Sequence, residues 1–366
     1  MKRPIYFILE HLKTGGIEII VTDLANALVG RGYQVTILVM FSDNEIGQRI
    51  DSKIKIEILT PFDTRHQSLL YKAGRRLGVS ILLKRRLKRI HDSAIISSTN
   101  RFSLMISKYV GSDCLRIFQL HHDYINRRSM INDIRNRYNN IDYFVTLTDD
   151  INEEISKLLS INNHHTQCVT IPNFYPGKIK DILSWDQRKD YVLAVGRLDP
   201  IKGFMRLCEV WKLIQERCGD KYKLYIAGDG FHRSEIERKI NELEMQDTVK
   251  LLGMVSHNEV ERLMSESLIY CMSSYSEAFS LVLLEAMAHG TPQVAFDVRV
   301  GPRNLIIDGK TGFLVEDDDK RAYADRILTL MDNRNKWEMM SLCSNESSFR
   351  FSKENVLGKW EALLNR

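Results

Sequence analysis

No apolar run among these 366 residues approaches the roughly 20 residues needed to cross a bilayer, which argues against a helical membrane-spanning protein. The first apolar stretch, Ile5 to Leu9, stops at Glu10 and is too short for a secretory signal. Cysteine is sparse: the six, at 114, 168, 208, 218, 271 and 343, are scattered along the chain. That spacing fits neither a disulfide framework nor a zinc site and suits a reducing cytoplasm. Proline, at seven residues, is sparse as well, and two of the seven fall within the short segment Ile171-Pro172-Asn173-Phe174-Tyr175-Pro176-Gly177. That segment reads as a hinge. One stretch joins a lack of acid to a concentration of base. Between Lys72 and His91 stand Lys72, Arg75, Arg76, Lys84, Arg85, Arg86, Lys88 and Arg89, with no Asp or Glu. Removing those eight charges turns the net charge of +5 into −3, so the positive balance is a local patch.

What is present is ordinary for a folded protein. The chain is 44% hydrophobic and 27% charged, which excludes disorder, and its length fits two domains. An apolar strand, Ile5 to Leu9, is followed by the loop Thr14-Gly15-Gly16 and a helix with Ile17, Ile20, Val21, Leu24 and Leu28 at helical spacing. Gly32 ends that helix, and Val35, Ile37 and Val39 alternate as the next strand. The grammar repeats after residue 190. Tyr191 to Val195 reads as a strand, then come Gly196-Arg197-Leu198-Asp199-Pro200-Ile201-Lys202-Gly203, a helix to about Arg217, and the strand Leu224 to Ala227 closing on Gly228-Asp229-Gly230. This predicts two doubly wound α/β domains of similar size meeting at a cleft, 1–176 and 177–349, with a last helix in 350–366 packing back on the first.

The segment Glu-Ala-Phe-Ser-Leu-Val-Leu-Leu-Glu-Ala-Met-Ala-His-Gly, 277–290, carries the strongest chemical signal. Between Phe279 and Ala288 only Ser280 and Glu285 are polar, so the predicted helix is apolar nearly all round and buried. A carboxylate there needs a partner, either within the protein or in a ligand. The free N–H groups of Ser280, Leu281 and Val282 at the helix start offer an anion site. Glu285, about a turn inside, can accept hydrogen bonds from a ribose diol, and Glu277, in the preceding loop, can reach the hydroxyls of a sugar. Arg197 and Lys202, five residues apart beyond a parallel strand, can converge on a diphosphate. The Gly15-Gly16 loop admits close backbone approach by a ligand.

Gly-Arg-Leu-x-Pro-x-Lys-Gly (196–203), Ala-Gly-Asp-Gly (227–230), Leu-Leu-Gly-x-Val (251–255), Glu-x7-Glu (277–285), Gly-Thr-Pro (290–292), Gly-Pro (301–302) and Asp-Gly-Lys-Thr-Gly-Phe-Leu-Val (308–315) occur in that order. Together they resemble the retaining glycosyltransferases of family 4, also called group 1. These have the GT-B architecture: two Rossmann-like doubly wound domains facing an interdomain cleft. The resemblance is specific over 190–320 and looser in the N-terminal half. It implies that Arg197 and Lys202 bind the diphosphate, Glu285 the ribose and Glu277 the donor sugar, with a backbone contact to the phosphates from Gly16. It also implies a histidine near the donor sugar, at the tip of the strand Arg116 to Leu120. His121 is the favoured candidate and His122, directly before Asp123, its rival.

The implied reaction is sugar transfer with retention, from a nucleotide sugar to a glycan or lipid-linked glycan acceptor, with no cofactor. UDP is the expected nucleotide because it is the commonest in the family. No metal is implied: Glu316-Asp317-Asp318-Asp319 follows a strand and precedes a helix, so helix capping is its expected role. The basic stretch within residues 69–91 reads as an amphipathic helix, with Val79, Leu82, Leu83, Leu87 and Ile90 on one face, and suits an anionic membrane surface. A cytoplasmic enzyme, peripheral on the inner face of the cell membrane, is therefore expected. A nucleic-acid role is not, since the patch lacks aromatic interleaving. Two rival functions stand beside transfer. One is a non-catalytic nucleotide-sugar-binding subunit; the other is a dinucleotide-dependent oxidoreductase, for which neither glycine loop supplies the three-glycine fingerprint.

Overall fold

The computed structural model describes residues 2–366 apart from 13–14, 42–49, 61–68, 126, 164 and 180–181, and apart from the side chains of 69–76. Two compact units account for it: Met1–Asn173 with Lys353–Arg366, and Phe174–Ser352. The first crossing falls inside the proline-bearing segment 171–177.

The first unit runs β1 (Ile5–Leu9), α1 (Gly16–Gly30), β2 (Val35–Phe41), β3 (Lys55–Thr60), α2 (Leu69–Leu87), β4 (Ala94–Ser97), α3 (Asn100–Tyr109), β5 (Leu115–Gln119), α4 (Arg128–Arg137), β6 (Tyr143–Thr146), α5 (Asp149–Leu159) and β7 (Gln167–Thr170). Its seven strands are parallel in the order β3-β2-β1-β4-β5-β6-β7. Strand β1 is apolar along its whole length, and β2 and β4 carry one polar residue each, because helices cover both faces, the usual sign of a doubly wound sheet. Ile5 of β1 pairs with Val35 on one side and Ala94 on the other.

The second unit runs β8 (Lys189–Val195), α6 (Phe204–Cys218), β9 (Lys223–Ala227), α7 (Arg233–Glu242), β10 (Val249–Gly253), α8 (His257–Glu266), β11 (Ser267–Met272), α9 (Leu281–Ala288), β12 (Gln293–Asp297), α10 (Pro302–Leu305), β13 (Gly312–Glu316), α11 (Lys320–Asp332) and α12 (Arg334–Ser348). Its six parallel strands are ordered β10-β9-β8-β11-β12-β13. Strand order reverses between β8 and β11, and the crevice beyond such a switch point is where doubly wound sheets bind ligands. Trp211, Trp337 and Tyr323 fill the core, all about fully buried.

The last helix, α13 (Lys353–Leu364), belongs to the first unit. It buries Val356, Leu357, Trp360, Leu363 and Leu364. Polar contacts flank that seam: Lys2 Nζ lies 3.3 Å from Glu361 Oε1, and Tyr33 donates to Asn365 Oδ1 at 3.4 Å.

Helix α2 buries Val79, Leu83, Leu87 and, just past its end, Ile90, while Leu82 is part-buried. Its cations do not all face water, as the lack of local acid suggested. Arg86 turns inward to Glu57 on β3, with Nε and Nη2 donating at 2.5 and 3.0 Å. The side chains of Lys72, Arg75 and Arg76 lie outside the described residues. No helix among the described residues is long and apolar enough to cross a membrane.

Candidate active site

The loops leaving β8 and β11, at 196–203 and 273–280, lie side by side because their strands are neighbours. Two hydrogen bonds fasten them: Tyr275 N–H donates to Ile201 O at 2.8 Å and the Ser273 hydroxyl to Lys202 O at 3.0 Å. The approach is close enough to dictate sequence. Gly203 has φ +67°, and a Cβ there would lie 1.9 Å from Ser273 O, so both conformation and space exclude a side chain. The Gly228-Asp229-Gly230 turn closes the other flank, with Leu198 N–H donating to Asp229 O at 2.9 Å.

These loops carry four of the expected residues. Lys202 Nζ lies 2.6 Å from Glu277 Oε1, and the Ser274 hydroxyl donates to the same oxygen at 2.8 Å. Gly301 packs on the far side of Glu277, where a Cβ would meet the glutamate Cβ at 2.8 Å. Arg197 pairs within its own loop. Its Nε donates to Asp199 Oδ2 at 2.7 Å, and the side chain is 74% exposed, free to swing toward an anion. Ser280 is the N-cap of α9, its Oγ accepting from Leu283 N–H at 3.4 Å, so Leu281 and Val282 open the helix with their N–H groups outward-facing.

Glu285 sits on α9 among Leu283, Leu284, Ala286 and Met287, all buried. Its carboxylate has no hydrogen-bond or ion-pair partner among the described residues, although a carboxylate so placed calls for one. Loss of hydration, with repulsion from Glu261 added, pushes its pKa up to about 7. The other end of α9 is secured from within the protein. Gly290 (φ +60°) and Thr291 donate back to Met287 O and Ala286 O at 3.0 and 2.9 Å, a Schellman cap. The buried Arg188 guanidinium then donates to His289 O, Gly290 O and Ser267 O at 2.8, 3.1 and 2.9 Å.

The acidic run beyond β13 divides its work. Asp319 caps α11, accepting from Ala322 N–H at 2.9 Å, as expected. Asp317 pairs instead with Arg206 Nη1 at 2.7 Å. Arg206 and Arg188 are the residues that sequence reasoning missed. The signal for Arg206 was its position on the apolar stripe of α6, in register with Val210 and Ile214.

Paired glutamates around a capped apolar helix, beside a lysine-bearing glycine loop at a switch point, fit a nucleotide-sugar site. The sequence match agrees. Residues 177–344 match the family model of glycosyl transferases group 1, and residues 14–176 that of glycosyltransferase family 4. The chain belongs to glycosyltransferase family 4. An uncharacterized glycosyltransferase of Haemophilus influenzae is 26% identical over the whole of both chains. Identity is also 26% to the GalNAc-alpha-(1->4)-GalNAc-alpha-(1->3)-diNAcBac-PP-undecaprenol alpha-1,4-N-acetyl-D-galactosaminyltransferase of Campylobacter jejuni, over 98% of each chain. Among solved structures, an S. aureus TarM mutant in complex with Fondaparinux, alpha-GlcNAc-glycerol and UDP superposes with TM-score 0.81 over 100% of both chains, at 18% identity. The architecture is GT-B, and the chain is a glycosyltransferase of the glycan-building type.

The first unit of this glycosyltransferase holds the remaining candidates. Gly16 opens α1 with open space where a side chain would stand, whereas a Cβ on Gly15 would strike the Glu18 carboxylate. Beyond β5, both ring nitrogens of His121 are shielded from water and unpaired among the described residues. Burial, and then His122, pull its pKa down to about 3, so it is a neutral imidazole throughout the working range. His122 is already engaged, its Nε2 lying 3.1 Å from Arg127 Nη1.

Proposed function

We infer that this enzyme transfers a sugar, with retention, from a UDP-sugar to a hydroxyl of a lipid-linked or surface glycan. The observation that carries the reading is Glu285: a carboxylate held in an apolar helix with its pKa raised, lacking a partner among the described residues and one turn inside an N-terminus that favours anions. A ribose diol satisfies that carboxylate. Arg197, Lys202 and the α9 N–H groups take the diphosphate, and Glu277 takes the sugar hydroxyls; Gly16 and His121 are the first unit's candidate ligands. The UDP bound to TarM and the undecaprenyl-diphosphate-linked substrate named for the Campylobacter enzyme support the nucleotide and the acceptor class.

In the reaction the bond from the anomeric carbon to the diphosphate oxygen breaks, and a bond to the acceptor oxygen forms on the same face. The acceptor proton passes to the departing diphosphate. Arg197 and Lys202 stabilise the charge that grows there, so neither a metal nor a cofactor is required.

Peripheral attachment to an anionic membrane is part of the reading. On α2, Leu77 and Ile81, 64% and 44% exposed, stand one turn apart beside Lys84 and Arg85. Between α2 and α3 a cavity of about 690 Å³ joins Ile81, Leu104 and Met105 to Lys84, Arg101 and Arg137. Exposed apolar side chains rimmed by cations are suited to a lipid interface on the inner face of the cell membrane.

A thermal-shift panel of UDP, GDP, ADP, CMP and NAD against wild type and Glu285→Ala tests the donor assignment. A shift with UDP, lost in a folded Glu285→Ala, is expected, together with loss of turnover. A shift with NAD alone, or an active Glu285→Ala enzyme, overturns it.

A further inference from the structure

Arg206 has no assigned part in the reaction, yet it is the most completely enclosed cation near the site, 2% exposed. Burying a guanidinium demands that its donors be met, and here each of its three nitrogens makes a hydrogen bond, two of them to one short segment. Nε donates to Ser273 O at 2.7 Å, Nη2 to Ser274 O at 2.6 Å and Nη1 to Asp317 Oδ1 at 2.7 Å. The planar group is sandwiched between the rings of Tyr275 and Phe296, 3.9 and 4.0 Å from their centroids. Three of these contacts, to Ser273 O, Ser274 O and the Tyr275 ring, fall on the short segment between β11 and Glu277.

We propose that Arg206 is a positioning residue that sets the Glu277 carboxylate in register with Lys202. Its guanidinium fixes the carbonyls of Ser273 and Ser274; the Ser274 hydroxyl then holds Glu277 Oε1, and the Ser273 hydroxyl ties the segment to Lys202 O. A planar fork that meets two successive carbonyls and a carboxylate is a task lysine cannot reproduce. Asp317, half exposed, keeps the fork from rotating, which gives the acidic run beyond β13 a second use besides capping. Arg206 does not touch the donor on this account; it acts through the backbone of the loop that does.

The inference rests on the donor-site reading and deepens it. Its signature is a split between nucleotide and sugar: UDP depends on Arg197, Lys202 and Glu285, whereas the contribution of the sugar moiety depends on Glu277. In Arg206→Lys, UDP alone should bind as in wild type, the extra affinity of UDP-sugar over UDP should vanish, and kcat should fall roughly 10- to 100-fold, the scale of a displacement of about 1 Å. Asp317→Ala, on the exposed side of the fork, should move the same quantities in the same direction by a smaller factor, and serves if Arg206→Lys does not fold. A proportional loss of UDP and UDP-sugar binding, or unchanged kcat in both variants, overturns the proposal. Glu277→Gln separates the two levels of argument. If it is inactive while Arg206→Lys and Asp317→Ala are normal, only the positioning role fails; if Glu277→Gln is fully active, the donor-site reading fails.

Discussion

Replacing Glu285 by glutamine removes a charge while keeping the shape of the side chain, and the structure assigns that charge a cost. Burial and Glu261 raise the carboxyl from its ordinary 4.5 to about 7, so the native state binds this proton more tightly than the unfolded chain does. At about 1.4 kcal/mol per pH unit, the ionised form destabilises the fold by roughly 3 kcal/mol. The sign follows from linkage: between pH 4.5 and 7 the native state carries the extra proton, so stability falls as pH rises and the full penalty applies above 7. Glutamine escapes the penalty but leaves an amide to be satisfied. Glu285→Gln is therefore expected to be about 1–3 kcal/mol more stable than wild type at pH 8 and no more stable near pH 4.5. For a unit of this size that is a rise in Tm of about 3–10 °C. Thermal melts of both proteins at pH 5, 6.5 and 8, with and without UDP, read it out; the variant should gain stability at pH 8 and lose the UDP shift. A variant less stable than wild type at pH 8, or a difference that does not change with pH, would refute the picture of an ionised carboxylate held without a partner.

Gly203→Ala should lose at least about 1–3 kcal/mol of stability from its left-handed backbone alone, with the Ser273 carbonyl adding a direct collision, and urea titration measures it. An Ala variant as stable as wild type would mean that the two loops are not locked together there. His121→Ala should abolish turnover while His122→Ala retains it; the reverse pattern in a sugar-transfer assay would exchange their roles. Full activity is expected in excess chelator, and loss of activity restored by a divalent ion would assign a metal to the reaction. Sedimentation with anionic vesicles but not with zwitterionic ones is expected, weakened in a Leu77→Ser/Ile81→Ser double variant; equal binding to both vesicle types would exclude the electrostatic part of the attachment.

How far the sequence led can be seen residue by residue. The run Ile5 to Leu9, the helix after Gly15-Gly16 and the alternation at Val35, Ile37 and Val39 all reappear as β1, α1 and β2, because each is specified by local periodicity and a glycine stop. Helix α9 was legible for the same reason, although Ser280, expected within its first turn, stands just outside it as the cap. Pairings were not. Arg188 meets carbonyls about a hundred residues away and Arg206 carbonyls 67 and 68 residues away, and a main-chain acceptor leaves no mark in side-chain identity. Arg86 misled for a related reason: its acid, Glu57, stands on a strand outside the acid-free stretch. The 3₁₀ turn at 200–202, just after the Arg197–Asp199 pair, was likewise too short for any periodic signal.

Helix α13 has a consequence for how the protein is made. Its five buried apolar residues complete the first unit, yet they are the last of the described elements to leave the ribosome. The second unit can close its sheet as soon as α12 has emerged, while the first waits with an uncovered seam along α1 until translation passes Leu364. A premature stop or a tag that disturbs the final helix would then damage the half synthesised first. In pulse-labelled synthesis the second unit should become protease-resistant ahead of the first, so the order of maturation would run opposite to the order of the sequence.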